Sequence, residues 1–500
     1  MKEKDVIIIG SGLGGLSSGV MLAKNGYRVT ILEQNTLPGG CLQCFRRHDV
    51  KFETGMHFIG SADEGQILNK MMRYLEIDDK LELSRLDTDR YNVICLEGQC
   101  FDFANGSEAF IDRMASYFPD QRDNLARYCR LVESISAASS LHTLKHGQTN
   151  DAITAEYQLR SINEVVEELI TDPLLQKVIV GDLPLYAAVR DKTPFSVHAF
   201  IMDFYNRSAF RFVGGSDVLI RALTEVLVRY GGEVRTRSKV TRIVCDDTHA
   251  TGVEVNGGEY IQADYIISAA HPMRTMEMLG DTHLIRPAFR KRINSIPQTV
   301  GGFSVYLHFK ENTVPYMNHN FFGYETDTPW GCEQYDDTTW PKGYLYMHVC
   351  DQSGQNFARS GVILTYMRME ELAAWSGTTV GHRGTDYEDY VYRRAWRLIL
   401  ALDRRFPGIK DCIEHYYVST PLTYRDYTGT QDGSLYGIAK DITLGNVGRV
   451  PHKTRIPNVF MTGQNVNSHG MLGVIVGTMV TCGEFLTPKY IYEQILEANK

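Results

Sequence analysis

A glycine-rich turn directly behind a short apolar strand restricts the fold of this chain more than any other feature. Residues 6–9 form an unbroken apolar run, and the turn Gly10-Ser11-Gly12-Leu13-Gly14-Gly15 follows it at once. A run of this kind is typical of a strand that is buried on both faces of a parallel sheet. Helical spacing follows over residues 16–25, and a second strand-like run, residues 29–32, ends at Glu33. The order of these segments predicts a β-α-β unit.

Each part of this unit has a task in binding a dinucleotide. Gly10 permits a tight turn, Gly12 lets the main chain approach a pyrophosphate, and Gly15 lets the helix pack closely on the strand. The N-terminus of the helix presents free N–H groups to the phosphates. Glu33 lies near the spacing of about 20 residues at which a carboxylate accepts hydrogen bonds from a ribose. The sequence therefore predicts a dinucleotide site, and NAD and FAD both remain open at this point.

Two further segments favour FAD over NAD. Gly39-Gly40 follows the second strand, where the main chain of an FAD protein passes close to the pyrophosphate, whereas simple NAD dehydrogenases have no counterpart. Near the C-terminus, a strand over residues 458–462 runs into Gly463-Gln464, and a helix opens at Gly470. The N-terminus of that helix would meet the flavin carbonyl and the ribityl chain of an extended FAD.

Six motifs spread over nearly the whole chain carry a family resemblance. They are the glycine turn, Gly39-Gly40, Glu53-Thr54-Gly55-Met56-His57-Phe58-Ile59-Gly60, Gly214-Gly215-Ser216-Asp217, Ala263-Asp264-Tyr265-Ile266-Ile267-Ser268-Ala269 and Thr462-Gly463-Gln464-Asn465. Together they resemble the FAD-dependent oxidoreductases that include phytoene desaturases, carotenoid isomerases and retinol saturases (all-trans-retinol 13,14-reductases). The resemblance is closest to the last two groups, because many flavin amine oxidases carry Gly-Asp where this chain carries Gly463-Gln464.

The resemblance implies a set of contacts with FAD. The implied FAD-binding residues are Gly10, Gly12, Leu13, Gly14, Gly15, Glu33, Gln34, Gly39, Gly40, Val240, Gly463, Gln464 and Gly473. His57 is the candidate catalytic residue, as a proton donor during flavin chemistry, and a hydrogen-bonded core histidine is the alternative. Because the sequence contains one glycine fingerprint and FAD takes it, NAD(P)H is expected at most as a transient electron donor.

The element pattern and the resemblance together predict an α/β fold with two discontinuous domains. A Rossmann-like FAD-binding domain of the glutathione-reductase type is expected over residues 1–75, 205–275 and 425–500. An α+β substrate-binding domain is expected over residues 76–204 and 276–424. Long stretches without turn glycines between residues 110 and 205 indicate a helical insertion, and β-rich runs at 303–307, 344–347, 362–365 and 415–418 indicate an antiparallel sheet.

The charge and the hydropathy pattern exclude several classes of partner. The net charge is −8 and no basic block occurs, so a nucleic-acid partner is not expected. No stretch reaches the roughly 18 apolar residues of a membrane-spanning helix, and the N-terminus lacks the apolar core of a signal peptide. We therefore expect a cytoplasmic protein without a transmembrane segment, while superficial contact with a membrane stays open.

The ten cysteines are scattered along the chain, which is typical of free thiols in a reducing compartment. Cys41 and Cys44 form a C-x-x-C motif, but no second pair follows at the spacing of a zinc finger. Packing thiols near the cofactor are therefore expected in preference to a redox pair, and no metal site is predicted.

The resemblance implies chemistry on a carbon–carbon double bond of a hydrophobic polyene or another lipid. Reduction by hydride transfer from flavin N5, as in retinol saturases, is the leading hypothesis. Carotenoid desaturation or cis-trans isomerisation stays open, and so do amine oxidation and a flavin-binding protein without turnover. Six aromatic residues of the predicted sheet either line an apolar tunnel or form the core: Phe303, Tyr306, Tyr344, Tyr346, Tyr416 and Tyr417.

Overall fold

The computed structural model describes residues 4–147 and 150–500. Its strands are β1 Asp5–Ile9, β2 Arg28–Leu32, β3 Cys44–Arg47, β4 Val50–Glu53, β5 Ile59–Gly60, β6 Leu83–Arg85, β7 Asn92–Leu96, β8 Gln99–Phe103, β9 Ala209–Phe212, β10 Glu233–Arg235, β11 Val240–Cys245, β12 Ala250–Val255, β13 Glu259–Gln262, β14 Tyr265–Ser268, β15 Gly301–Phe309, β16 Asn320–Tyr324, β17 Gly343–His348, β18 Ser360–Met367, β19 Ile413–Ser419 and β20 Val459–Met461. Its α-helices are α1 Leu13–Ala23, α2 Ile67–Tyr74, α3 Ser107–Tyr117, α4 Arg122–Ala137, α5 Ser140–Thr143, α6 Asp151–Tyr157, α7 Ile162–Leu169, α8 Pro173–Ile179, α9 Phe195–Arg207, α10 Asp217–Arg229, α11 Pro272–Met278, α12 Pro287–Asn294, α13 Thr385–Arg405, α14 Pro421–Thr428, α15 Gly470–Leu486 and α16 Pro488–Glu497.

A five-stranded parallel sheet brings distant parts of the chain together, in the order β10-β2-β1-β14-β20. In its central strand, Ile8 pairs with Ile31 of β2 on one side and with Ile267 of β14 on the other. Ile8 packs in the same core as α1, whereas Ile7 points to the opposite face and packs with β11 and β12. Burial on both faces explains why this strand is apolar without alternation, and the predicted β-α-β unit is confirmed.

The second large sheet has seven strands in the order β19-β15-β18-β17-β16-β7-β8. The four β-rich runs of the sequence lie in β15, β17, β18 and β19, and these strands pair antiparallel as predicted. One pair, β16 with β7, is parallel, and the β7–β8 hairpin comes from a segment that precedes the helices. The sheet therefore joins two separate stretches of the chain.

The two faces of this sheet have different surroundings. Phe303, Tyr344 and Tyr346 lie in the core beneath α13, and the Tyr344 hydroxyl donates to the carbonyl of Ala401 at 3.2 Å. Tyr306 alternates to the other face and packs in the core that contains the helical block. The alternation of side chains along a strand thus places Phe303, Tyr344 and Tyr346 in the core on one face of the sheet and Tyr306 in the core on the other face.

Helices α3 to α9 lie between β8 and β9 and form the predicted helical insertion. In its interior, the two ring nitrogens of His198 bond to the hydroxyls of Tyr128 at 2.8 Å and Tyr186 at 2.6 Å. Asp182 is 1% exposed, and neither of its carboxyl oxygens has a hydrogen-bond partner within residues 4–147 and 150–500. Burial raises the pKa of Asp182 to about 7, because the interior disfavours the charged form.

Cys95 and Cys100 correct the expectation that every cysteine is a free thiol. They are directly paired across the β7–β8 hairpin and form a disulfide. Direct cross-strand pairing places two side chains next to each other on one face of a sheet. This proximity depends on the hairpin register, which cysteine spacing alone does not reveal. The remaining eight cysteines are free.

The C-terminal region contains one helix more than the sequence indicated. Helix α15 begins at Gly470 as predicted, and α16 follows after a bend of 118°. Most of α15 is buried, and it packs with α1 in the core beside the parallel sheet. Among the described residues, no single helix is long and apolar enough to cross a membrane, although α15 and α16 together reach that length and composition as a bent pair.

Substitution of the buried carboxyl group in Asp182→Asn is expected to change the pH dependence of stability. Between about pH 4 and pH 7 the folded protein keeps a proton that the unfolded chain loses, so the free energy of unfolding falls as the pH rises. The amide that replaces the carboxyl group does not titrate. The free energy of unfolding of the variant, minus that of the wild type, should therefore be larger at pH 8 than at pH 5. Urea unfolding at both pH values measures this. The exposed Asp120→Asn is the control, and an identical pH dependence in Asp182→Asn would contradict the prediction.

Candidate functional site

The glycine turn after β1 has the close main-chain packing that a dinucleotide site requires. Gly10 adopts a φ of +96°, and its N–H donates to the carbonyl of Leu32 at 2.8 Å. A Cβ atom on Gly15 would lie 2.0 Å from the carbonyl oxygen of Gly10, so only glycine fits there. At Gly12, by contrast, no atom of the described chain lies within 4 Å of the Cβ position. The turn is therefore closed against the strand and open on its outer side.

Two other glycine turns meet this one. A Cβ atom on Gly40 would lie 3.2 Å from the Cα of Gly12, and one on Gly14 would lie 2.8 Å from the Cα of Gly463. Gly39 and Gly40 both have positive φ, at +126° and +55°. The structure thus brings together three predicted cofactor segments that lie far apart in the sequence, and the main chain lines the space between them.

Glu33 is held in place by the same turn. Its carboxylate is 5% exposed and accepts hydrogen bonds from the N–H and the hydroxyl of Ser11, at 3.0 and 2.6 Å, through one oxygen. The other oxygen accepts from the N–H of Asn35 at 2.8 Å. Because a carboxylate offers about four lone-pair positions, this second oxygen retains one for a ribose hydroxyl. The Ser11 hydroxyl also accepts from the N–H of Gly39 at 3.2 Å, which joins the two turns.

Three further predicted residues are Val240, Gln34 and Leu13, and the main chain near one of them reaches Glu33. Val240 is the first residue of β11 and is 7% exposed, and it follows shortly after Ser238, whose N–H donates to the Glu33 carbonyl at 2.8 Å. Gln34 is exposed, whereas Leu13 is buried as the first residue of α1. The backbone near Val240 therefore lies beside Glu33.

The C-terminal turn places its predicted residues in two different environments. Gly463 has a φ of +94° and faces the first turn, and the side chain of Gln464 is half-buried. Gly473 lies in the first turn of α15, where a Cβ atom would be 2.7 Å from the Cβ of Ser468. Gly473 thus lets the preceding loop pack on the helix. Asn465 uses its side-chain oxygen to accept from the N–H of Ile438 at 2.9 Å.

His57 is fixed by a carboxylate. Its Nδ1 lies 3.3 Å from Glu53 Oε2, and the two side chains are 9% and 4% exposed. The other oxygen of Glu53 accepts from the N–H of Ser216 at 2.9 Å, at the start of α10. A carboxylate at Nδ1 orients the imidazole and leaves Nε2 free to donate or accept a proton. Within the part of the chain that the structure describes, Nε2 of His57 has no hydrogen-bond partner.

The C-x-x-C thiols lie close to these residues. Burial raises the pKa of Cys41 to about 11 and that of Cys44 to about 12. Both therefore remain thiols at neutral pH, and a thiol is a poor nucleophile and a poor metal ligand. Within residues 4–147 and 150–500, no group of three or more His, Cys, Asp or Glu side chains has the geometry to hold a metal ion.

Helix α14 and the face of the seven-stranded sheet that carries Tyr306 meet the segment before His57. The Tyr424 hydroxyl lies 2.9 Å from the Ser304 hydroxyl and donates to the Thr54 carbonyl at 3.1 Å. Tyr306 lies beside it, with its ring centroid 4.9 Å from that of Phe45. Burial raises the pKa of both tyrosines. These contacts dock the sheet onto the segment that carries His57.

Sequence reasoning missed several residues of this arrangement. Ser11 stands inside the glycine turn, and a small polar residue among glycines is a signal for a side chain that bonds the neighbouring loop. Glu53 lies four positions before His57 and stands out in the sequence only as part of a motif. Asn465 has no local signal, because its partner Ile438 comes from another segment of the chain.

These features fit FAD. The main-chain cradle at Gly12 is open where a pyrophosphate would lie, Glu33 retains an acceptor for a ribose, and the turns at Gly40 and Gly463 border the same space. An extended dinucleotide would thus contact residues from both ends of the chain.

Two known proteins match almost the whole chain in sequence. The all-trans-retinol 13,14-reductase of Homo sapiens is 26% identical over 99% of this chain and 87% of its own length. The chloroplastic prolycopene isomerase 1 of an Oncidium hybrid cultivar is 24% identical over 93% of this chain and 80% of its own length.

Two solved structures share the fold. An oxidoreductase from Methanosarcina mazei superposes with a TM-score of 0.65 at 16% identity, covering 95% of this chain and 99% of that one. Wild-type putrescine oxidase bound to putrescine superposes with a TM-score of 0.62 at 13% identity, covering 99% and 98%. The model of the flavin containing amine oxidoreductases matches residues 13–367. The chain therefore belongs to the flavin containing amine oxidoreductase family, and it is an oxidoreductase whose cofactor is FAD.

Proposed function

We propose that this protein reduces a carbon–carbon double bond of a hydrophobic, polyene-like substrate. The observation that carries the proposal is the similarity to a retinol 13,14-reductase over 99% of the chain, which includes the substrate-side sheet as well as the cofactor turns. Many flavin amine oxidases carry aspartate where this chain carries Gln464, and this difference also favours reduction of a polyene over oxidation of an amine.

The predicted cofactor residues each have a place in this proposal. Reduced FAD, when bound, supplies hydride at the flavin nitrogen N5. The main chain at Gly12 and Gly40 would make room for the pyrophosphate, Glu33 would accept from the ribose, and the C-terminal turn at Gly463-Gln464 would border the ribityl chain. The close packing at Gly15 keeps the N-terminus of α1 directed at the phosphates.

His57 is the proposed proton donor. Reduction of an alkene adds a hydride to one carbon and a proton to the other, so a donor must be near the site. Glu53 holds Nδ1 at 3.3 Å, which leaves Nε2 to carry the proton that is transferred. A core histidine with a purely structural role is the alternative, and the variant below separates the two.

The partners follow from the same proposal. The substrate is a hydrophobic small molecule, no nucleic acid takes part, and NAD(P)H acts at most as a transient donor of electrons. A cytoplasmic location with superficial contact to a membrane is consistent with a lipid substrate that leaves a bilayer to enter the site.

Carotenoid isomerisation is the second candidate, and the similarity to a prolycopene isomerase favours it. Amine oxidation is a third, favoured by the fold shared with putrescine oxidase. The three reactions differ in their electron balance: alkene reduction consumes reduced flavin, isomerisation consumes none, and amine oxidation begins from oxidised flavin.

Anaerobic photoreduction followed by mixing with all-trans-retinol or a carotenoid tests the proposal. We expect the flavin absorbance to return as the absorbance of the conjugated polyene falls in equal molar amount. A shift of the polyene spectrum without reoxidation of the flavin would establish isomerisation. Reduction of oxidised flavin by amines, with no reoxidation by any alkene, would overturn the proposal in favour of amine oxidation.

The variants Gly12→Ala and Gly15→Ala form a matched pair for the cofactor site. At Gly12 the backbone has φ −64° and ψ 176°, which alanine adopts freely, and the Cβ position is open. We expect Gly12→Ala to unfold in urea like the wild-type apoprotein and to bind FAD at least about tenfold more weakly. Gly15→Ala should lose stability by about 1–3 kcal/mol or more through overpacking. Wild-type FAD affinity in Gly12→Ala would contradict the assignment.

The variant His57→Gln tests the proton donor. We expect the rate of flavin reoxidation by a polyene to fall by about 10²–10⁴-fold, with FAD content and flavin photoreduction unchanged. His382→Gln, at an exposed position, is the control. Reoxidation at the wild-type rate in His57→Gln would assign this histidine to the core alone.

A further inference from the structure

A cavity of about 160 Å³ adjoins the C-terminal glycine turn. Its walls are formed by the loop after Asp182, by the segment before β15, by the strand-like stretch around Ile438 and by His469. Asn465 bonds to the N–H of Ile438 at 2.9 Å, so this wall is attached directly to the Gly463-Gln464 turn. The cavity therefore lies beside the turn that is predicted to meet the flavin end of the cofactor.

One part of the cavity is apolar and too small for a whole lipid. Its apolar lining consists of Tyr186, Ala187, Val189, Val197, Pro297 and Ile438. Complete small-molecule ligands usually occupy about 300–1,000 Å³. A cavity of about 160 Å³ instead holds one end of a longer molecule.

The other part of the cavity carries charge. The Lys440 ammonium donates to the carbonyl of Asn467 at 2.9 Å, and among the described residues no carboxylate lies within ion-pair distance of it. Burial, and secondarily the positive charge of Arg449, lower the pKa of Lys440 to about 8. At neutral pH the ammonium is thus still largely protonated, with N–H groups left for another acceptor.

Among the charged side chains that line the cavity, Lys440 is the one without a carboxylate partner in the described part of the chain. Lys192 is 57% exposed in its side chain and lies 3.8 Å from Asp441, so these two charges offset each other at the rim. His469 is neutral, because burial and the nearby Lys440 lower its pKa to about 3. Its Nε2 atom is buried and has no hydrogen-bond partner within the described ranges. A half-buried ammonium and a buried imidazole nitrogen without a partner among the described residues together fit an anion that can accept hydrogen bonds.

We propose that this cavity binds the carboxylate end of a long unsaturated substrate, with the Lys440 ammonium as its counter-ion. The inference rests on the proposed function, because the rest of such a molecule would extend from here to the flavin. A carboxylate fits the one lining cation that has no carboxylate partner in the described chain, and the apolar wall beside it would receive the first carbons of the substrate.

Binding of parinaric acid, a fluorescent conjugated polyene carboxylate, to the oxidised FAD-loaded protein tests the site without turnover. Fluorescence titration with the acid and with its methyl ester gives the two Kd values. We expect the acid to bind roughly tenfold or more tightly than the ester, since a hydrogen bond to a charged group contributes about 1.5–3 kcal/mol. In Lys440→Met the Kd of the acid should rise by about that factor, and the Kd of the ester should rise by less than about twofold.

Two controls keep the outcome specific. Lys440→Arg retains the charge and should restore the preference for the acid, and Lys453→Met removes an ammonium that is paired with Glu484 instead. Equal affinity of acid and ester in the wild type, or equal weakening of both in Lys440→Met, would overturn the site. Because the readout is binding, the site can fail while polyene reduction holds, and the reduction test can fail while carboxylate selectivity holds.

Discussion

The close approach of three glycine turns is the constraint on which the cofactor site depends. Gly14 packs against Gly463 at a distance that leaves no room for a Cβ atom, and Gly40 packs against Gly12 at one that leaves little. The segments come from the two ends of the chain, so the space between them exists only when the parallel sheet has brought β1, β2 and β20 into register. Main-chain atoms line that space because any Cβ would fill part of it.

A second set of contacts joins helix α10 and the seven-stranded sheet to the segment between β4 and β5. Glu53 links His57 to the start of α10 through Ser216, and Tyr424 links the seven-stranded sheet to Thr54. The segment between β4 and β5 is thus held from both directions. The imidazole of His57 lies on this segment, and the carboxylate of Glu53 orients it. A hydrogen bond of this kind gives a side chain on a short connecting segment a defined direction.

Prediction from the sequence succeeded where the signal was local. The strand, turn and helix around Gly10 carry their own pattern, and so do the β-rich runs of the second sheet, because side-chain periodicity and glycine placement act within a few residues. The contacts of Asn465 and the disulfide between Cys95 and Cys100 were not predicted, because they depend on register and on approach between segments. The domain bounds at residues 75, 205, 275 and 425 remain predictions.

The sequence by itself determined that the chain builds a dinucleotide fold with an added sheet and a helical insertion, since backbone freedom and apolar periodicity are properties of neighbouring residues. Only the tertiary structure decided which polar groups lost their solvent. Asp182 and Lys440 look ordinary in the sequence, yet burial raises the pKa of the first and lowers that of the second. A charge acquires such properties from the atoms that surround it, and folding alone supplies those atoms.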